Sequence, residues 1–189
     1  ARATPEVAAK LAARLAWWER YVAATGASLD NNPSPGNKRG GLTTILEKSL
    51  GAVAKGGRSR LVDVVDYAAP VAAHGLVFMD TPGYDPVSAT GQVAGGANLV
   101  VFTTGRGSCF GCRPTPSIKV ASNSDLAARM AEDIDVDAGR IVSAGVSVDA
   151  VGEEIFALIL EIASGRQTMS EAFGYGDDEF VPWHIGAVL

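Results

Sequence analysis

Cations interleaved with glycine recur at two places in the 189-residue sequence, and both suit an anionic ligand. The first stretch runs from Asn31 to Gly57 and opens Asn-Asn-Pro-Ser-Pro-Gly-Asn, which no helix or strand interior tolerates. Pro33 and Pro35 fix their own φ angles and push the residues before them toward extended backbone. Gly36, Gly40 and Gly41 permit sharp turns and leave backbone amides uncovered. Lys38 and Arg39 lie between these glycines, and a helix start follows, with Thr43 or Thr44 as cap and Glu47 in the first turn. Amides, two cations and a helix N-terminus together favour negative charge. The same composition also allows a plain surface turn before a helix. The second stretch, Thr103 to Asp125, carries Gly105, Arg106, Gly107, Gly111, Arg113 and Lys119, then Ser122, Asn123 and Ser124. Two such loops in one chain could line a single cleft.

Other chemistry-bearing residues are sparse. Cys109 and Cys112 form a C-x-x-C pair, the spacing of a redox couple or of half a zinc site. A second ligand pair is missing, with only His74 and His184 to set beside it. Gly111 and Arg113-Pro114 put the pair in a loop and favour incidental thiols over either role. His74 precedes an apolar run and His184 lies in the tail; each is a candidate base or a surface histidine. Asp80-Thr-Pro-Gly resembles the acidic switch element of nucleotide hydrolases, but no phosphate loop of the order G-x-x-x-x-G-K-[ST] precedes it. Gly105-x-Gly107 lacks the third glycine of a dinucleotide fingerprint, and no serine occupies a G-x-S-x-G elbow. The alternating run Glu132 to Asp137 lacks the spacing of a calcium loop and reads as a half-exposed strand or turn.

The elements that must position these residues follow from periodicity. Glu6 to Ala24 has an apolar stripe at Val7, Leu11, Leu15, Trp18 and Val22, which predicts a helix ending near Gly26. Thr43 to Val53 predicts a second helix. Leu61 to Ala69 is expected to form a short third one, with Ser59 as cap, Val62, Val65 and Ala69 inward and Pro70 as its limit. Gly75 to Met79 and Asn98 to Thr104 are apolar strands flanking a helix over Pro86 to Ala94. Strand, helix, strand with continuously apolar strands marks a parallel sheet covered on both faces. Such sheets bind ligands at the carboxyl ends of their strands, where Asp80-Thr81 and Thr103 to Arg106 fall. A further strand is expected over Ile118 to Ala121, a helix over Asn123 to Met130 capped by Ser122 or Ser124, and a last helix over Val151 to Ser164. The fold class is therefore α/β: a three-layer, Rossmann-like domain over residues 1–170 with a mostly parallel sheet and glycine-rich loops at strand ends. Residues 171–189 carry Phe173, Tyr175, Phe180 and Trp183 and are expected to pack back on the domain or on a partner, with a closing strand at Ile185 to Leu189.

Composition bounds the function classes. With 47% hydrophobic and 20% charged residues the chain is globular rather than disordered. A net charge of −5 argues against a broad nucleic-acid footprint. No apolar run is long enough to span a membrane. The start, ARATPEVAAKLAARL, has neither an initiator Met nor a signal-peptide core, as expected of a processed product or a domain of a longer protein.

The loops carry more than composition. Asn32-Pro-Ser-Pro-Gly-Asn-Lys-x-Gly-Gly-Leu-Thr-Thr-x-x-Glu-Lys-Ser-Leu-Gly, ending Lys55-Gly56-Gly57, resembles a signature of the altronate/galactarate dehydratase family, in its carboxy-terminal region. Phe102-Thr-Thr-Gly-Arg-Gly, Pro116-Ser-Ile-Lys-Val-Ala-Ser-Asn-Ser, Asp135-x-Asp137-Ala-Gly and Phe180-Val-Pro-Trp with Gly186 are similar to further family signatures. The resemblance runs from about residue 20 to the end. One departure is Ser108-Cys109-Phe110-Gly111-Cys112, where the family commonly has no cysteine.

The resemblance implies a cytoplasmic hydro-lyase that dehydrates sugar acids to 2-keto-3-deoxy acids with a divalent metal, iron first and magnesium or manganese as alternatives. It implies amino-terminal domains of the same enzyme as partners and a sugar acid as ligand. Net charge and the lack of a long apolar run set the expectation of no nucleic acid and no membrane, and the aromatic tail leaves a homo-oligomer as an option. Removing the proton beside a carboxylate builds enediolate charge that cations must stabilise. On that chemistry Lys38, His74, Asp80 and Arg106 are the catalytic candidates. Asn32, Asn37, Arg39, Thr104, Lys119 and Asn123 are the substrate-binding ones, the cations for carboxylates and the amides and hydroxyl for sugar hydroxyls. The metal ligands are unknown, with Glu47, Asp80, Cys109 and Cys112 as weak candidates. The competing function is a non-catalytic module that binds sugar acids or supports an assembly.

Overall fold

The structure, a computed structural model, describes residues 2–27, 35–39, 42–184 and 186. It folds as two compact units, Ala1–Tyr84 with Trp183–Leu189 and Asp85–Pro182.

The first unit begins with α1, Pro5–Ala24, where the Thr4 side chain accepts from the Val7 amide and Pro5 needs no hydrogen-bond partner of its own. Val7 and Val22 from the expected stripe are buried, but Leu15 is 60% exposed, so α1 buries only part of it. Two short helices follow, α2 at Pro35–Arg39 and α3 at Ile45–Lys55. Thr44 caps α3, and Glu47 accepts from the Thr43 amide and hydroxyl, both at 2.7 Å. The helix expected over Leu61 to Ala69 is instead a strand, β1, Leu61–Val65. Val62, Val64 and Val65 are β-branched and stiff at χ1, which favours extended backbone once a partner strand is available. That partner is β2, Leu76–Met79, aligned parallel with Val64 opposite Phe78 and Val65 opposite Met79. Lys10 pairs with Asp63 at 2.5 Å and Arg14 with Asp66, tying α1 to the strand and the turn after it.

An aromatic cluster closes this unit. Trp17 stacks on Tyr21 at 4.7 Å between centroids, Trp18 stacks on Trp183 at 5.4 Å, and Tyr67 meets Trp183 edge-on at 5.5 Å. Tyr21 Oη donates to the Gly186 carbonyl at 3.0 Å. The closing strand expected at Ile185 to Leu189 falls on residues of which only Gly186 is described.

The second unit is built on three parallel strands in the order β3, β4, β5: Val100–Thr104, Ser117–Ala121 and Val136–Asp137. Around them lie α4, Asp85–Ala94; α5, Ser124–Arg129; α6, Arg140–Ser143; α7, Val148–Ala163; and α8, Met169–Ala172. Every residue of central β4 is buried. Side chains alternate along a strand, so Ile118 and Val120 share a face. They pack with Val136 of β5 and with Val151, Leu158 and Ile162 of α7. Each such aliphatic side chain contributes about 1.5–3 kcal/mol by burial. A second cluster joins Phe110 and Cys112 to Ala89 of α4, with Phe102 and Val93 packed against it.

The α/β class and the parallel pairing are as expected. The strands at 75–79 and 98–104, read together as one sheet, fall among the described residues in separate sheets, one pairing with β1 and the other with β4. Reading β1 as a helix had concealed the partner of β2.

Candidate functional site

The second glycine-rich stretch is locked where β3 and β4 end. The Ser122 amide donates to the Thr104 carbonyl at 3.0 Å, extending the β3–β4 ladder by one bond. The chain then turns, and the Gly107 amide donates to Thr104 Oγ1 at 3.1 Å. Asn123 uses its whole side chain. Its Oδ1 accepts from the Leu126 amide at 2.8 Å, capping α5, and its Nδ2 donates to the Gly105 carbonyl at 3.0 Å. Arg129 donates to the Arg106 carbonyl at 3.0 Å. Gly107 has φ +106, and a Cβ there would overlap Met130 Sδ, so only glycine fits this turn. The outcome is an exposed Arg106 side chain on a loop fixed at four points, with no carboxylate in ion-pair distance among the described residues.

Lys119 stands on the opposite face of β4 from Ile118 and Val120, fully buried. Its ammonium donates to the Phe110 carbonyl at 3.0 Å and to Ser170 Oγ, and Ser170 Oγ itself donates to Phe110 at 3.2 Å. Burial holds its pKa below the ordinary value of 10.5, with Asp135 the leading charge that opposes the shift. Asp135 serves the backbone on both sides. Its Oδ2 accepts from the Lys119 amide at 2.7 Å and its Oδ1 from the Met169 amide at 2.9 Å. Residues 111–113 are tied to the tail by Glu179, which accepts from the Gly111 amide at 2.5 Å, and by the Gly176 carbonyl, which accepts from the Arg113 amide at 3.1 Å. Arg113 also pairs with Asp177 at 3.1 Å.

The sequence candidates divide between the two units. Thr104, Arg106, Cys109, Cys112, Lys119 and Asn123 belong to the second unit, on or beside the loop just described. Lys38 and Arg39 are exposed on α2, and His74 is exposed ahead of β2, in the first unit. Asp80, at the end of β2, is half-buried, and its Oδ1 accepts from Trp18 Nε1 at 2.7 Å. Asn32 and the Asn37 side chain lie outside the described residues.

The weak metal candidates do not assemble. Glu47 is occupied at the start of α3, where the hydrogen bonds from Thr43 hold its carboxyl below the usual range. Cys109 is exposed, while burial of Cys112 pushes its thiol up and disfavours the thiolate a metal needs. Among the described residues no three of His, Cys, Asp and Glu come together as a metal site, so these donors do not fit one by themselves. No helix among them is long and apolar enough to cross a membrane.

Sequence reading missed Ser170, Asp135 and Glu179 as the groups that set the loop. One signal for α8 was available: Thr168-Met-Ser-Glu171 has the spacing of a capping box, and both of its bonds are present. Gly139 was noted only as the end of the Asp135-x-Asp137-Ala-Gly signature, with no spatial role. It lies so close to the Asn123–Ser124 backbone that a Cβ would overlap the Ser124 nitrogen.

Comparison with known proteins matches residues 1–188 to the family model described as "D-galactarate/Altronate dehydratase, C-terminal". The chain is 39% identical over 170 residues to galactarate dehydratase (L-threo-forming) of Escherichia coli K12, covering 89% of this chain and 32% of the relative. It is 40% identical over 154 residues to altronate dehydratase of the same organism, covering 82% and 31%. It is 34% identical over 166 residues to the (2R)-sulfolactate sulfo-lyase subunit beta of Chromohalobacter salexigens, covering 85% and 43%. The chain thus spans about a third of the length of the two dehydratases.

Proposed function

The chain belongs to the D-galactarate/altronate dehydratase family, whose carboxy-terminal region it matches, and from that membership we propose that it is the carboxy-terminal part of a sugar-acid hydro-lyase. In that role it contributes to dehydration of an aldonate or aldarate to a 2-keto-3-deoxy acid. A base removes the proton on the carbon next to the carboxylate, and the electron pair moves into an enediolate. The bond from the β-carbon to its hydroxyl breaks with acid assistance, water leaves, and the enol tautomerises to the ketone.

The observation that carries this reading is the exposed Arg106 on its rigid loop at the carboxyl ends of β3 and β4. A fixed guanidinium is suited to a carboxylate, which it can hold through two parallel bonds and whose enediolate charge it can stabilise. Lys38 and Arg39 are the further carboxylate-holding cations of the proposal. Thr104 still has a hydroxyl proton to offer a substrate oxygen. Asn123 is the positioning residue of the loop, since both ends of its amide are already bonded. Asp80 is the first candidate for proton transfer, because only its Oδ1 is used by Trp18, with His74 as the second. Lys119 acts from beneath the loop, through Phe110. No step is assigned to the divalent metal that the resemblance implies, and its ligands are expected from outside the residues described. The amino-terminal region of the intact enzyme and a three-layer, Rossmann-like arrangement of its sheet belong to the same proposal.

The sulfo-lyase relative favours a second reading on shared chemistry. Sulfolactate is also a 2-hydroxy acid with a leaving group on the β-carbon, so elimination would expel sulfite instead of water.

One assay separates these. The full-length gene product, with ferrous iron, magnesium or manganese under anaerobic conditions, is offered a panel of aldonates, aldarates and sulfolactate. Keto-deoxy product from a sugar acid supports the dehydratase, and sulfite release supports the second reading. A folded protein that does neither overturns both and leaves a binding or assembly module.

A further inference from the structure

We propose that the apolar face of α3 is the surface on which the amino-terminal remainder of the enzyme docks. Every residue from Ile45 to Lys55 is exposed, and none of the helix is buried. Ile45 is 41%, Leu46 64%, Leu50 61% and Val53 66% exposed. At about 100° per residue these four fall within a sector of roughly 140°, with Lys48 and Lys55 on the other side. The helix is therefore amphipathic in sequence, yet its apolar stripe faces water.

Such a helix is out of place without a partner. Eleven residues make a helix shorter than those that hold their shape alone in water. The Thr44 cap and the Thr43–Glu47 bonds secure its first turn only. An aligned row of large aliphatic side chains on an exposed helix marks a docking face.

Length identifies the occupant. The chain matches a carboxy-terminal family region and covers only 32% and 31% of the two dehydratases, so the mass that such a protein carries beyond this chain lies mainly on the amino-terminal side. Between residues 38 and 60 the sequence carries Lys38, Arg39, Lys48, Lys55, Arg58 and Arg60 and the single acid Glu47, so an apolar groove rimmed by carboxylates is the complement of this segment.

The inference rests on the part-of-a-larger-enzyme reading and not on the dehydration chemistry. The test uses the full-length gene product with p-benzoylphenylalanine at Leu50, or at Lys55 as the control, irradiated and mapped by mass spectrometry. Crosslinks from position 50 to the amino-terminal region of the same chain, about tenfold above those from position 55, are expected for a packed face. Amide exchange of residues 45–55 in the unaltered protein is expected to be slowed about 100-fold or more relative to an unprotected helix. A crosslink to a second copy, or equal low yields from both positions with fast exchange, would overturn the dock. Either failure together with intact elimination activity leaves the function standing, while a docked α3 in a protein without that activity overturns only the chemistry.

Discussion

Lys119 and Ser170 meet through a hydrogen bond that spans 51 residues of chain and is wholly buried. Among the described residues no carboxylate pairs with the ammonium; its acceptors are the Ser170 hydroxyl and the Phe110 carbonyl. Placing a cation there has a cost that an uncharged amine would not carry. What the pair provides is position. It holds Phe110, and with it the segment that joins Arg106 to β4, against α8.

That cost has a pH signature. The folded Lys119 pKa lies below its ordinary value of 10.5, so between those two values the unfolded chain binds more protons than the folded one. Stability from this group therefore rises with pH across that window and is flat below it. Urea midpoints of the gene product should rise with pH below 9.0, the ordinary value of Cys112, above which the raised Cys112 thiol opposes the gain from Lys119. Lys119→Met should remove the rise. An identical slope in the variant would mean that the ammonium is not desolvated.

Gly139 has an ordinary φ of −61, so replacing it tests space and not backbone strain. Gly139→Ala should destabilise by about 1–3 kcal/mol, because the added methyl must displace the Asn123–Ser124 backbone. Denaturant unfolding measures the loss. A neutral result would show that the Asn123 cap has room to move.

Asn123 separates a cap from a loop tie. Asn123→Ala should cost about 1 kcal/mol through loss of the α5 cap. Asn123→Asp should keep the cap but lose the donor to Gly105, leaving stability near normal while KM for a sugar acid rises. If Asp and Ala behave alike in KM and stability, the tie to Gly105 has no separate role.

Arg106→Ala should raise KM by about 10- to 100-fold, the scale of losing a charged hydrogen-bond partner, with little change in unfolding midpoint because the side chain is exposed. Arg106→Lys should recover only part of the loss, since an ammonium cannot grip both carboxylate oxygens. Unchanged KM in the Ala variant would remove Arg106 from the site.

Asp80→Asn keeps an oxygen acceptor for Trp18 Nε1 but cannot take a proton. Activity should fall by at least ~100-fold if Asp80 transfers the proton, with tryptophan fluorescence unchanged. Full activity would reduce Asp80 to the aromatic cluster's hydrogen-bond acceptor.

Local chemistry was legible in the chain itself. The first and last long helices, a cap at Thr43 or Thr44, the apolar strands expected at 75–79, 98–104 and 118–121 and the glycine-rich loop from Gly105 to Gly107 follow from periodicity and from glycine placement, which act over a few residues. The signature stretches likewise marked the family before any coordinates. Leu61–Val65 went wrong because valines at 62 and 65 satisfy both helical spacing and strand propensity, and only the presence of β2 decides between them.

What the tertiary structure alone decided is which distant groups meet. Asp135 and Ser170 look like solvated polar residues in sequence, yet folding turns one toward two backbone amides and the other toward a buried ammonium. Lys119 reads as an available cation and proves to be enclosed. Hydrogen-bond partners across 16 to 51 residues are selected by how the strands and the tail pack, and nothing in the spacing of the residues encodes that selection.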